Sequence, residues 1–286
     1  MRISTRVALA ACAGLAVSTA ALAGHQWGNY HWARTSNPLK LDVHTAITSR
    51  AAWGPAVNGA IVDWDVAKST VIDLNGPIPN STSAKRCTAI PGKVLVCSES
   101  YGQRGWLGIA SIWANGNHIT QATTKVNDSY FDQARYNTAA WRSLVACQEM
   151  GHDFGLAHQD ENFSNTNLGT CMDYTNTPGA GAQGDSNEHP NTHDYDLLKT
   201  MYAHFDSTNT SATQTTNFGL REVGGRAAPP AGAANIPGDS PAEWGTAIHS
   251  DSEGRPDVFV MNLGGGQRKI THVFWAIGEG PRAHRD

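Results

Sequence analysis

Cys147-Gln148-Glu149-Met150-Gly151-His152-Asp153-Phe154-Gly155-Leu156-Ala157-His158 is the stretch on which the reading of this chain turns. Ahead of it and within it, Trp141, Leu144, Val145 and Met150 recur at helical spacing, which predicts a helix over 138–154. On that helix Gln148 and His152 are four positions apart and share a face. Glu149 sits beside them, about 100° around the axis. Gly155 can take a positive φ without steric cost, so it can end the helix and fold the chain back. That turn would bring His158 toward His152. Two ligand-bearing positions with a neighbouring carboxylate suit metal-assisted hydrolysis. The ion polarises a carbonyl and lowers the pKa of water toward about 7, while the carboxylate takes up the proton and passes it to the leaving amine.

Further along, Thr170-Cys171-Met172-Asp173-Tyr174 and His193-Asp194-Tyr195 flank the same region. Together these residues resemble the extended motif of the metzincin zinc peptidases, H-E-x-x-H-x-x-G-x-x-H followed by a Met-turn. The match falls on Glu149, His152, Gly155, His158 and Met172. It departs at the first ligand, where Gln148 stands in place of histidine. The resemblance covers about residues 39–206. It implies an α+β fold with a twisted mixed sheet above an active-site helix and a C-terminal helix behind. It implies Zn2+ as cofactor, Glu149 as general base, Met172 beneath the metal, and Tyr174 as a movable ligand or oxyanion stabiliser. It also implies a peptide or protein substrate laid along an edge strand at Gly105–Trp113 by strand addition.

Gln148 divides two outcomes. Its amide oxygen is neutral, as imidazole is, but it is a poorer zinc donor. Either zinc is held by His152, His158 and Gln148, or another histidine replaces the missing one; His118, His189 and His193 are the candidates. Retention of Glu149 favours an active endopeptidase. The alternative is a catalytically inactive relative that binds peptides or partner proteins in the same cleft.

Outside the motif, strands are expected at Leu39–Val43, Thr70–Leu74, Lys93–Cys97, Gly105–Trp113 and Ile119–Val126, with a helix after Gly54-Pro55 and another over Asp194–Phe205. The main unit is thus 24–206. Residues 207–243 have the composition of a flexible linker. Residues 244–286 read as a small three-stranded β module to which no chemistry is assigned.

Met1 to Ala23 has two early arginines, an apolar run and Ala21-Leu22-Ala23, the pattern of a cleavable signal peptide; Leu9-Ala10-Ala11-Cys12 offers a lipoprotein alternative. A secreted or periplasmic monomer is expected, with no transmembrane segment. Of five cysteines, Cys12 falls in this leader, and the remaining four suggest two disulfides. Cys87–Cys97 across Pro91-Gly92 comes first, leaving Cys147–Cys171. The formal charge of -4 and the lack of a basic stripe argue against nucleic acid. The nine tryptophans are scattered, as core residues are. Asp160, Glu161 and Asp185 are calcium candidates without the alternating donors of a calcium loop. Asn80-Ser81-Thr82 and Asn162-Phe163-Ser164 match the glycosylation acceptor pattern.

Overall fold

A computed structural model describes residues 24–181, 183–211 and 235–281. The expected leader and the middle of the expected linker lie outside them. The strands are β1 (His31–Trp32), β2 (Leu39–Ile47), β3 (Ile72–Pro79), β4 (Lys93–Glu99), β5 (Trp106–Asn115), β6 (His118–Asn127), β7 (Thr246–Ser250), β8 (Pro256–Gly264) and β9 (Gln267–Trp275). The helices are α1 (Arg50–Trp64), α2 (Val66–Ser69), α3 (Asp128–Phe131), α4 (Ala139–Asp153), α5 (Thr192–Met201) and α6 (Pro241–Trp244). Helix α1 begins ahead of Gly54-Pro55 rather than after it. Its first turn is set by the Ser49 carbonyl, which accepts from the amides of Ala52 and Trp53, and Pro55 is carried inside.

All strands join one sheet in the order β3-β2-β4-β6-β5-β9-β8-β7, with β1 paired to the start of β6. The β3-β2-β4-β6 part and the β1–β6 pair are parallel, and the pairs from β6 through β5, β9 and β8 to β7 are antiparallel. This is a mixed sheet with helices against it, an α+β architecture. The last three strands do not stand apart. Strand β9 pairs with β5 along Trp106–Asn115, so the edge expected to receive a peptide is already filled by the chain itself. Strand β5 is an almost continuous apolar run buried on both faces, and an unpaired edge of that composition would invite aggregation. The β8–β9 turn, Gly265-Gly266, has both glycines at positive φ, as a two-residue hairpin of this hand requires.

One face of the sheet packs on α1 and α4 around Trp53, Trp64, Leu144, Val145 and Met150. The opposite face, over β5, β8 and β9, holds Tyr101, Trp106, Ile109, Trp244, Phe259, Val273 and Trp275. The expected linker is packed at both described ends. Thr210 donates its amide to Ala33, and Lys125, buried under the sheet, reaches Asp239 at 2.6 Å. Low hydrophobicity misled there: residues 235–243 are held by polar contacts, including three carbonyls around the Lys269 ammonium.

Both disulfides form, Cys87–Cys97 and Cys147–Cys171. The second ties α4 to the loop carrying Met172 across 24 residues. Closing such a loop stabilises the fold by about 3 kcal/mol in the chain-entropy account. Replacing both Cys147 and Cys171 by Ser is therefore expected to lower the unfolding free energy by about 3 kcal/mol in urea titrations; an unchanged midpoint would show that packing alone holds the two elements together.

Candidate metal centre

Helix α4 starts on Thr138, whose side chain accepts from the Trp141 amide, and ends as its glycine predicts. Gly155 has φ +95°, its amide donates to the His152 carbonyl, and the Leu156 amide donates to Gly151, the paired bonds of a Schellman turn. A Cβ at Gly155 would lie 2.1 Å from the Tyr30 carbonyl, so no other residue fits. The turn delivers two things to the site. Leu156 presents its carbonyl to Nδ1 of His152 at 2.8 Å, and His158 returns so that its ring is 4.9 Å from that of His152.

The third imidazole is not one of the expected three. Strand β9 places His272 opposite Ala110 of β5, above α4. Its ring lies 3.8 Å from His152 and 4.4 Å from His158, centroid to centroid. One ligand atom from each of His152, His158 and His272 falls within 4.8 Å of the others. His118 instead lies beside His31 and Asp206, His189 bonds Asp63 at 2.6 Å, and His193 stacks on His25. His272 had a signature in the sequence. It lies between Ile270 and Phe274 on the face of β9 that packs toward α4, a polar residue in an apolar row.

Each ring is tied on one side and free on the other. His152 Nδ1 meets Leu156, His158 Nδ1 meets the Glu161 carboxylate at 3.3 Å, and His272 Nε2 meets the Tyr174 hydroxyl at 3.1 Å. The nitrogens left over, Nε2 of 152 and 158 and Nδ1 of 272, are buried without a hydrogen bond. Outward bonds of this kind fix the tautomer and aim the remaining lone pair at a metal. Behind Tyr174, Asp257 accepts from its hydroxyl at 3.5 Å and holds Nδ1 of His249 at 2.8 Å. That bond lifts His249 to about 9. Tyr174 thus braces His272, and its ring lies against His158 at 4.0 Å.

Glu149 is completely buried, with Oε2 3.7 Å from His272 Nδ1. Neither of its oxygens makes a hydrogen bond of normal geometry. Burial pushes its pKa well up and Asp153 adds to this, while the Ala110 amide only partly opposes them. Burial also holds His152 and His272 well below the usual imidazole range and His158 down to about 3, which favours the neutral form of each ring. Three neutral imidazoles and one carboxylate, with no lysine or arginine among them, form a donor set for a divalent cation of the zinc type. Such an ion would also compensate a carboxylate that is otherwise costly to ionise here.

Gln148 is buried one helical turn before His152. Its amide nitrogen donates to the Cys171 carbonyl at 2.8 Å, bracing the Met172 loop, and its oxygen has no hydrogen bond. Met172 packs under the helix at Gly151, where a Cβ would stand 2.5 Å from its sulfur. Thr170 links that loop to Asp194, the residue that completes the capping box of α5. The calcium candidates do not converge. Asp160 caps its own loop, Glu161 faces His158, and Asp185 lies under Gly169.

No family model matches the sequence, and no curated protein matches it. Among solved structures, the chain is similar to high choriolytic enzyme 1 (HCE-1), a hatching enzyme zinc-protease from Oryzias latipes (Medaka fish). The identity is 12% over 60% of this chain and 94% of that one, with a TM-score of 0.33. It is also similar to myroilysin, at 12% identity over 63% of this chain and 98% of that one, with a TM-score of 0.34. The likeness to these structures is remote.

Gly108 on β5 makes room for the carboxylate, because a Cβ there would lie 2.6 Å from Glu149 Oε1 and 2.7 Å from Val145. Gly108→Ala is expected to cost about 1–3 kcal/mol of stability in chemical unfolding by overpacking; a neutral substitution would mean that Glu149 does not lie against β5.

Proposed function

We propose that the chain is an exported zinc-dependent peptidase in which His272 supplies the third imidazole that Gln148 cannot. The observation that carries this reading is the convergence of three otherwise unbonded ring nitrogens beside a buried carboxylate. His152, His158 and His272 would hold the ion. When bound, zinc supplies Lewis acidity toward a scissile carbonyl and lowers the pKa of water toward about 7. Glu149 would accept a proton from a water beside its carboxylate and return it to the leaving amine. The carboxylate is buried, and only the backbone amide of Ala110 faces it, with no cationic side chain to balance its charge. Tyr174, with Asp257 behind it, positions His272. Gln148 serves the Met172 loop through its amide nitrogen instead of acting as third ligand. Among the described residues no helix is long and apolar enough to cross a membrane, and the leader pattern supports a secreted or periplasmic location.

A second reading has its own support. Strand β9 holds the β5 edge, and His152 and His272 are 1% and 2% exposed. A peptide cannot add to β5 while the C-terminal hairpin is docked. On this reading the ion fastens the C-terminal strands to α4, and the protein is a metal-stabilised relative without turnover.

The two readings share ligands and differ in Glu149. Zinc-loaded protein is expected to cleave unfolded casein, and Glu149→Gln to abolish cleavage while keeping its zinc. His272→Ala is expected to weaken zinc at this cluster more than about 100-fold, and Gln148→Ala by less than that, as loss of an indirect partner does. Zinc-loaded wild type that leaves casein and a broad peptide library intact would establish the second reading. Equal losses of affinity in Gln148→Ala and His272→Ala would return residue 148 to the ligand set.

A further inference from the structure

A second group of histidines lies at the edge of the β1–β6 pairing, outside the cluster just described. His31 of β1 stands opposite His118 at the start of β6. His204 and Asp206 follow α5. Asp206 Oδ1 is 3.5 Å from His31 Nε2, 3.2 Å from His118 Nε2 and 3.6 Å from His204 Nε2, and the Nε2 atoms of His31 and His204 are 3.2 Å apart. We propose that His31, His118, His204 and Asp206 form a second zinc site, closed by four protein ligands and structural in role.

The spacing carries the proposal. Zinc held tetrahedrally at ordinary Zn–N and Zn–O distances puts its ligand atoms about 3.3–3.5 Å apart. Four of the six separations, those above, bracket that value, and His31, His118 and Asp206 each bring one ligand atom within 4.8 Å of the others. A surface carboxylate that merely attracts imidazoles would hold all three donors at ordinary hydrogen-bond distance, about 2.7–3.2 Å, and only His118 comes that close. The outward bonds agree as well. His31 Nδ1 is bound to the Asn29 carbonyl at 2.8 Å, and Asp206 Oδ2 accepts from the Arg34 amide at 2.9 Å. Each leaves its other atom, Nε2 or Oδ1, for the centre, which is how ligands of a metal are oriented from behind. Three imidazoles and one carboxylate with no open position match a structural zinc site and leave no place for a substrate.

The location gives the ion a task. Its ligands come from the N-terminal strand, from the β5–β6 turn and from the segment after α5. That segment already pairs with residues 33 and 34 through the amides of Asp206 and Thr210. An ion here would fasten both ends of the main unit at the point where the chain leaves for the strands that carry His272.

The test is zinc stoichiometry and thermal unfolding of the untagged, full-length protein, stripped with chelator and titrated with zinc alone. Wild type is expected to bind two equivalents, His31→Ala/His204→Ala one, His152→Ala/His158→Ala one, and the fourfold variant none. Zinc should still raise the melting temperature of His152→Ala/His158→Ala, but not of the fourfold variant. Asp206→Asn, which can keep the bond to the Arg34 amide while losing the anionic ligand, is expected to weaken this site more than about 100-fold without unfolding the apo protein. If Asp206→Asn and His31→Ala/His204→Ala bind as many equivalents as wild type with unchanged affinity, the second site does not exist. If instead His152→Ala/His158→Ala binds as much as wild type, the α4 centre has failed and this one stands.

Discussion

The pairing of β9 with β5 is the constraint on which the candidate site depends. It sets Ala110 opposite His272 and thereby hangs an imidazole over α4, where His152 and Glu149 lie. A slip of one residue would turn His272 to the far face of the sheet, into the cluster around Trp244 and Val273. The register is well specified. Ile270 and Phe274 must face the helices, while Val273 and Trp275 must face Trp106 and Trp244. The Gly265-Gly266 turn fixes where the hairpin begins. A chemical feature is thus positioned by the burial of aromatic and aliphatic side chains on both sides of one strand.

The same pairing sets two demands against each other. Completing a three-imidazole set from the C-terminal strand excludes water and gives each electrostatic contact weight in a low-dielectric setting. It also covers the sheet edge on which a peptide would otherwise lie. Glu149 carries this tension. Its carboxyl sits in the gap that Gly108 leaves on β5, faced only by the Ala110 amide and pushed toward its neutral form by burial. Ionising it there calls for a cation nearby, and the imidazoles, neutral by the same burial, supply the place for one.

Much of this was legible in the residues. The spacing of Glu149, His152, Gly155 and His158 gave α4 and the turn that brings the two rings together, because helical periodicity and a positive-φ glycine are local properties. The cysteine pairs were legible from an even count and the short Cys87–Cys97 spacing, and the Met172 loop from its resemblance to a Met-turn. The missing ligand was not, because His272 reaches α4 only through a sheet contact with β5, more than a hundred positions away. Its place between Ile270 and Phe274 was the one available sign. The peptide-receiving edge at β5 failed on the same contact. His118 does not reach α4 and lies opposite His31 instead, a placement that only the pairing of β1 with β6 shows. Residues 235–243 looked like linker since polar contacts to Lys125 and Lys269 leave no mark in hydropathy.

Anomalous diffraction at the zinc edge, from crystals of the full chain grown with zinc, tests the central claim most directly. The account predicts a peak bounded by Nε2 of His152, Nε2 of His158 and Nδ1 of His272, with the carboxyl of Glu149 beside it. A peak enclosed by His152, His158 and the Gln148 oxygen with His272 turned away, or no peak between these rings at saturating zinc, would contradict it.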